Sequence, residues 1–69
     1  MKNSVDLKLN IALNIAKAEK ALMDIRDLLD QYYAGLLCGY ELMDSLVEQK
    51  GRVIMEIQQI QSKLMAADQ

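Results

Sequence analysis

Apolar residues recur along this chain at intervals that alternate between four and three. In the first half they are Ile11, Ile15, Ala18, Leu22, Ile25, Leu29, Tyr32 and Leu36. The same phase continues through Gly39, Met43, Leu46, Lys50, Val53, Ile57, Ile60, Leu64 and Ala67. Only Gly39 and Lys50 interrupt this stripe. Alternation of four and three is typical of helices that bury a stripe against other helices, so the pattern predicts an all-α fold.

Glycines indicate where the chain reverses. Proline is absent, and Gly35 and Gly39 are two of the three glycines. Glycine is costly inside a helix and favoured just past its end, which predicts two long antiparallel helices in a hairpin. The expected single domain, 1–69, comprises helix one at about 4–33, a turn at about 34–39 and helix two at about 40–67. Two alternatives stay open: a break at Gly51, or one uninterrupted helix, which the unbroken phase of the stripe favours.

The stripe is wider than a contact between two helices requires. Its margins are Ala21, Leu28 and Leu42 on one edge and Ala12, Val47 and Ile54 on the other. A broad apolar face is typical of three- or four-helix bundles, and a chain of 69 residues rarely buries enough surface to be stable alone. We therefore expect two hairpins to form a homodimeric four-helix bundle. The expected dimer core is Ile15, Leu22, Ile25, Leu29, Met43, Leu46, Val53, Ile57, Ile60 and Leu64.

Two further features of the apolar pattern allow more than one interpretation. The methionines within the helices, Met23, Met43, Met55 and Met65, are expected to fill gaps in the core, although methionine also suits adaptable binding surfaces. Lys50 interrupts the stripe, and it either sets the oligomeric state or covers the stripe with its alkyl part while the amine reaches water.

Charge and residue types exclude several classes of function. The net charge is -2, without the basic stripe of a protein that binds nucleic acid directly. The longest uncharged run near the middle, 31–40, has ten residues, whereas a membrane span needs about 20. The first residues do not read as a signal peptide, and a lone cysteine, Cys38, suits a reducing compartment. We expect a cytoplasmic protein that does not insert into membranes.

Catalytic chemistry is not expected. The chain has no histidine, so Cys38 has no Cys-His pairing and a metal site is improbable. Small helical chorismate mutases use several arginines around a dianionic substrate, but this chain has only Arg26 and Arg52. The sequence thus predicts no enzymatic activity, no cofactor and no metal, and it favours recognition of another protein.

The tyrosines mark a candidate surface for that recognition. Tyr32, Tyr33 and Tyr40 are the only aromatic residues, and they lie within nine residues around the expected turn. Tyrosine and arginine are enriched in binding hot spots. The candidate partner-binding residues are Arg26, Asp27, Asp30, Tyr33, Leu37 and Tyr40. The alternative is that the tyrosines close the end of the bundle with their hydroxyls in water.

Acidic residues surround the same part of the chain. Residues 21–48 contain six of them against Arg26 alone, a net charge of -5; they are Asp24, Asp27, Asp30, Glu41, Asp44 and Glu48. An acidic, aromatic end is suited to a basic protein surface, such as a DNA-binding domain. Ordinary solubility charge explains the pattern equally well.

A small dimeric hairpin that is acidic at one end and has no catalytic residues resembles the phage-encoded quorum-sensing anti-activators of Pseudomonas phages. The resemblance lies in length and helical layout, and it transfers no functional residue because no diagnostic motif is shared. It implies a dimer in the host-cell cytoplasm that binds the DNA-binding domain of a LuxR-type activator and blocks DNA binding. It also implies a second target, the ATPase that assembles type IV pili.

The expected function is therefore that of a small regulator that binds and inhibits a host protein. Helical-hairpin chaperones of type III secretion are similar in size, so a chaperone or structural adaptor is the alternative. Plasmid copy-control proteins are also four-helix dimers, but they bind RNA and would have a more basic surface.

Overall fold

The computed structural model describes residues 4–67. In this range the chain forms two helices, α1 (Ser4–Tyr33) and α2 (Gly39–Ala67), which pack against each other as an antiparallel hairpin. The Cα atoms span 53 × 16 × 8 Å, so the hairpin is long and thin. The predicted all-helical hairpin is confirmed. Gly51 lies inside α2, so neither a break at Gly51 nor an uninterrupted helix is found.

Gly35 ends α1 by adopting a left-handed backbone conformation with φ of +80°. The Leu36 N–H donates to the Gln31 carbonyl at 2.9 Å, and the Gly35 N–H donates to the Tyr32 carbonyl at 3.0 Å. These two bonds form a Schellman motif, which satisfies carbonyls that the end of a helix leaves without partners. A Cβ at Gly35 would meet nothing within 4 Å, so the backbone conformation and not crowding requires glycine there.

The start of α2 is capped from within. Oε1 of Glu41 accepts a hydrogen bond from the Cys38 N–H at 3.0 Å, and the Cys38 carbonyl accepts one from the Leu42 N–H at 2.9 Å. A glutamate at the third helical position that reaches back to the N-cap forms half of a capping box. The hydrogen bond from the Cys38 backbone, and then one from its side chain, hold the pKa of Glu41 below its ordinary value of 4.5.

The helices meet along positions a and d of a heptad repeat in which Ile11 occupies position a. Among the described residues, the buried ones all occupy d: Asn14 and Ala21 are 3% exposed, and Leu42 and Gln49 are 8% exposed. At position a, Ile11, Ala18, Ile25, Leu46, Val53 and Ile60 are half-buried, whereas Tyr32 beside the turn is exposed. A hydrogen bond joins Asn14 to Glu56, and one heptad closer to the turn the antiparallel register sets Ala21 opposite Gln49.

This contact differs from the predicted stripe at every second position. The stripe shares position a with it but uses position e where the helices use d. The dimer-core residues Ile25, Leu46, Val53 and Ile60 therefore lie between the two helices, whereas Ile15, Leu22, Leu29, Met43, Ile57 and Leu64 are exposed along one side. Two helices in contact need only the narrow a/d seam, and the small side chains Ala18 and Ala21 let them approach along it. Position e is then left uncovered.

The methionines do not fill the contact inside the single hairpin. Met23, Met43, Met55 and Met65 are all more than half exposed and occupy heptad positions c, e and f, outside the a/d seam. That they fill the core of a larger bundle stays a prediction. Neither described helix combines the length and the apolar character needed to cross a membrane.

Candidate protein-interaction surfaces

A polar cluster lies between the helices in the half of the hairpin remote from the turn. Nδ2 of Asn14 donates to Oε1 of Glu56 at 2.6 Å and to Oε1 of Gln59 at 2.8 Å. Nζ of Lys63 donates to Oδ1 of Asn14 and to the backbone carbonyl of Asn10, the latter at 3.2 Å. The buried amide thus uses its oxygen and both of its hydrogens. These bonds form only in one antiparallel register, so the cluster fixes how the helices align.

Gln49 makes the next layer of the contact polar as well. It is buried opposite Ala21, and its Oε1 accepts no hydrogen bond from any residue in the described range. A buried acceptor without a partner costs about 1–3 kcal/mol. Among residues 5–67 only Ala21 and Leu42 are buried apolar residues, and the larger side chains between the helices, such as Ile25 and Leu46, are only partly covered. The hydrophobic stabilisation inside the hairpin is therefore incomplete.

The two long sides of the hairpin have opposite character. Reversing one helix relative to the other places the e positions of both on one side and the g positions on the other. The e side carries Ile15, Leu22, Leu29, Met43, Ile57 and Leu64, interrupted by Lys8 and Lys50. The g side carries Asn10, Lys17, Asp24, Gln31, Ser45, Arg52 and Gln59. We call the first side, with Val47 and Ile54 at its margin, the open face.

Two cavities confirm that α1 and α2 share the open face. Leu29 and Met43 line one cavity near the turn. Ile15 and Leu64 line another, of about 360 Å³, toward the opposite end. The apolar residues at position e of both helices therefore meet at both ends of the open face. Lys50 is exposed between the two cavities, and the antiparallel register sets it at the level of Leu22.

The cavity near the turn is also where the aromatic residues meet. It has a volume of about 560 Å³ and is lined by Leu29, Tyr32, Tyr33, Gly39, Tyr40, Leu42 and Met43. Tyr33 is 83% exposed and Tyr40 is 87% exposed, so neither ring closes the end of the hairpin. The rings of Tyr32 and Tyr33 pack edge to face with centroids 5.5 Å apart. This arrangement leaves a shallow aromatic surface open to a partner.

The structure brings together only part of the predicted partner-binding set. Tyr33 and Tyr40 line the same cavity from opposite sides of the turn. Asp27 and Asp30 are exposed on α1 outside it, as is Arg26. Leu37 is half-buried in the turn and does not line the cavity either. The stripe that these residues would form on a continuous helix is replaced by a site built across the turn.

The Asn14 cluster is the feature that sequence reasoning missed. The cluster could have been found from the heptad phase, because Asn14, Glu56 and Lys63 share position d with Ala21 and Leu42. Within residues 4–67 no group of three or more histidine, cysteine, aspartate or glutamate side chains is placed to hold a metal ion. Compared with protein-family models, curated proteins and solved structures, the chain matches none of them.

Proposed function

We propose that this protein is a small regulator or adaptor that acts by binding another protein at its turn end. The observation that supports this function is the aromatic cavity across the turn, with Tyr33 and Tyr40 almost fully exposed beside it. A monomeric surface rarely exposes aromatic and aliphatic side chains together unless they are covered in a complex. Tyrosine also provides rigid contact area and a hydroxyl for hydrogen bonding, which suits a binding anchor.

The charge near the turn favours a basic partner. Asp27 and Asp30 are exposed on α1, and Glu41 and Asp44 are exposed on α2. Charges of one sign around an interface steer a partner of opposite sign and raise the association rate more than the affinity. The proposed partner therefore presents an apolar anchor for the cavity within a basic surround.

A DNA-binding domain has such a basic surface, and a protein docked on it would compete with DNA. Inhibition of a LuxR-type activator is the form of this function that the resemblance to phage anti-activators suggests. Binding of a type IV pilus assembly ATPase as a second target rests on that resemblance alone. The exposed residues support a basic protein partner without naming it.

A chaperone or adaptor that folds together with a client is the second candidate. The open face favours it, because an uncovered groove along two helices accepts a helix of another protein. This candidate predicts that the isolated chain is poorly folded and becomes helical when its client is added. The regulator predicts a stable assembly before any partner is added.

The experiment begins by capturing partners from the native host and identifying them by mass spectrometry. The affinity of the captured protein, and of a purified LuxR-type DNA-binding domain, is then measured for Tyr33→Ala and Tyr40→Ala. Loss of a binding anchor should weaken binding by about 1–3 kcal/mol for each substitution. Leu13→Ala is the matched control, because Leu13 is exposed on α1 far from the turn.

A second pair of variants distinguishes electrostatic steering of the partner from direct contact with it. Changing Asp27 and Asp30 to lysine should slow association and reduce its dependence on salt. Asp6→Lys reverses an exposed acidic residue at the other end of α1 and should change both much less. If both tyrosine variants fold and bind like the unmodified protein, the turn end is not the site.

A further inference from the structure

We infer that the open face is a homodimer interface, covered by the open face of a second copy of this chain. The open face shares Leu29 and Met43 with the turn-end cavity, so a second copy would cover that side of the cavity and leave the exposed rings of Tyr33 and Tyr40 to the proposed partner. The inference itself does not require partner binding at the turn end.

The inference rests on how incompletely the single hairpin buries its apolar side chains. Two of the four buried residues in the described range, Asn14 and Gln49, are polar, while Leu22 and Ile57 remain about half exposed on the open face. A helical protein is stabilised mainly by burying apolar side chains, so a hairpin with this pattern requires a cover.

The shape of the open face indicates what covers it. The open face has one cavity at Ile15 and Leu64 and another at Leu29 and Met43, with exposed Leu22 and Ile57 between them. Ile15 and Leu29 are 14 positions apart, which alone corresponds to about 21 Å of helix. An occupant must therefore offer a long apolar stripe on paired helices. A second copy carries the same apolar stripe because its sequence is identical. A second copy is also present wherever the protein is synthesised.

The exposed area agrees with what a stable dimer needs. One hairpin exposes 5577 Å², so two separate hairpins expose about 11,000 Å². A compact protein of twice the 7.8 kDa mass would expose about 7,200 Å². For a dimer as compact as an average protein the difference, about 4,000 Å², is the upper limit of the buried area, and it lies within the range of about 2,000–5,000 Å² that obligate homodimers bury. A short peptide on the open face would leave most of this excess uncovered.

Lys50 is compatible with a covered open face. Its alkyl chain lies at the level of Leu22 and can cover it, while the ammonium group reaches the margin of the interface. A polar residue within a bundle seam also restricts the number of helices that assemble, and Lys50 is the polar residue that lies between the two cavities. The self-complementary pairing of two identical faces is the isologous arrangement that closes at two subunits.

The test compares two leucines of nearly equal exposure on different surfaces. Leu22, on the open face, is 55% exposed, and Leu13, at position c on the outside of α1, is 61% exposed. Sedimentation equilibrium of the full chain should give twice the chain mass. Leu22→Asp should raise the dissociation constant at least about 100-fold, because the carboxylate is taken out of water at the interface. Leu13→Asp should leave the mass and the dissociation constant unchanged.

Leu22→Ala keeps the test decisive if the aspartate variant is unfolded at every concentration. It should remain helical at high concentration and dissociate at roughly tenfold higher concentration than the unmodified chain. A monomer with a cooperative thermal melt would overturn the inference. Equal effects of Leu22→Asp and Leu13→Asp would also overturn it, as would a chain that becomes helical only with a different protein. None of these outcomes depends on Tyr33 or Tyr40, so the turn-end proposal is judged separately.

Discussion

The Asn14 cluster makes a quantitative prediction about stability. Asn14→Ala removes three side-chain hydrogen bonds, of which those to Glu56 and Lys63 involve charged groups. A hydrogen bond to a charged group contributes about 1.5–3 kcal/mol, and one between neutral groups contributes about 0.5–1.5 kcal/mol. Glu56 and Lys63 are half-buried, so water partly replaces Asn14 as their partner. We therefore expect a net loss of roughly 2–3 kcal/mol per chain, well below the sum of the three bonds.

Thermal unfolding followed by circular dichroism measures this loss. For a domain of this size about 1 kcal/mol lowers Tm by roughly 4–8 °C, so the expected decrease is on the order of 10–20 °C. The chain concentration must be held constant, because the proposed dimerisation would make Tm depend on concentration. Asn10→Ala is the matched control, since Asn10 is exposed and joins the cluster only through its backbone carbonyl. The reasoning is refuted if Asn14→Ala lowers Tm no more than Asn10→Ala does.

The helix ends at the turn and the interior glycine of α2 give the remaining predictions. Gly35→Ala should destabilise the protein by about 1–2 kcal/mol, because φ is +80° at Gly35. Gly51→Ala should stabilise it by about 0.5–1 kcal/mol, because Gly51 lies in the interior of α2 with open space around it. Urea unfolding measures both, and a neutral Gly35→Ala would contradict the left-handed cap. The lowered pKa of Glu41 means that its cap stabilises α2 fully above pH 4.5 and is lost as pH falls through the folded-state pKa. Glu41→Gln should therefore lose stability at neutral pH but approach the unmodified protein in acid, and a stability difference that does not change with pH would contradict this.

The hairpin was predictable because its determinants are local. The glycine at 35 supplies the left-handed residue that ends α1, and the heptad spacing carries the helical signal on both sides of it. The sequence did not predict which edge of the stripe, position d or position e, packs between the two helices. Positions d and e both carry apolar residues, and the polar residues Asn14 and Gln49 at d suggest a solvated edge. That edge is buried where a polar residue forms a hydrogen bond with a residue of the other helix, as Asn14 does with Glu56.

The candidate site shows the same division between local and long-range information. The sequence placed Tyr33 and Tyr40 close to one turn, and the structure brings them to one cavity. It also grouped Leu37 with them by helical spacing, which fails because Leu37 lies in the turn. The methionines were expected in the core because they are hydrophobic. Hydrophobic character does not show which helix face is covered, because that depends on the assembly and not on the single hairpin.

The heptad phase passes through the turn unchanged, with Gly35 itself at position d, and this continuity bears on arm exchange between copies. Two straightened chains lying antiparallel would set Leu28 opposite Leu42 of the partner subunit, the same pairing that the hairpin makes within one chain. Opening the turn therefore breaks the Schellman cap but keeps the pairing between the helices, which then joins two chains. The exchanged pair would be a rod of about 96 Å instead of 53 Å, a difference that small-angle X-ray scattering resolves. We expect segment 34–38, and not the a/d seam, to set the balance between the folded-back form and the rod.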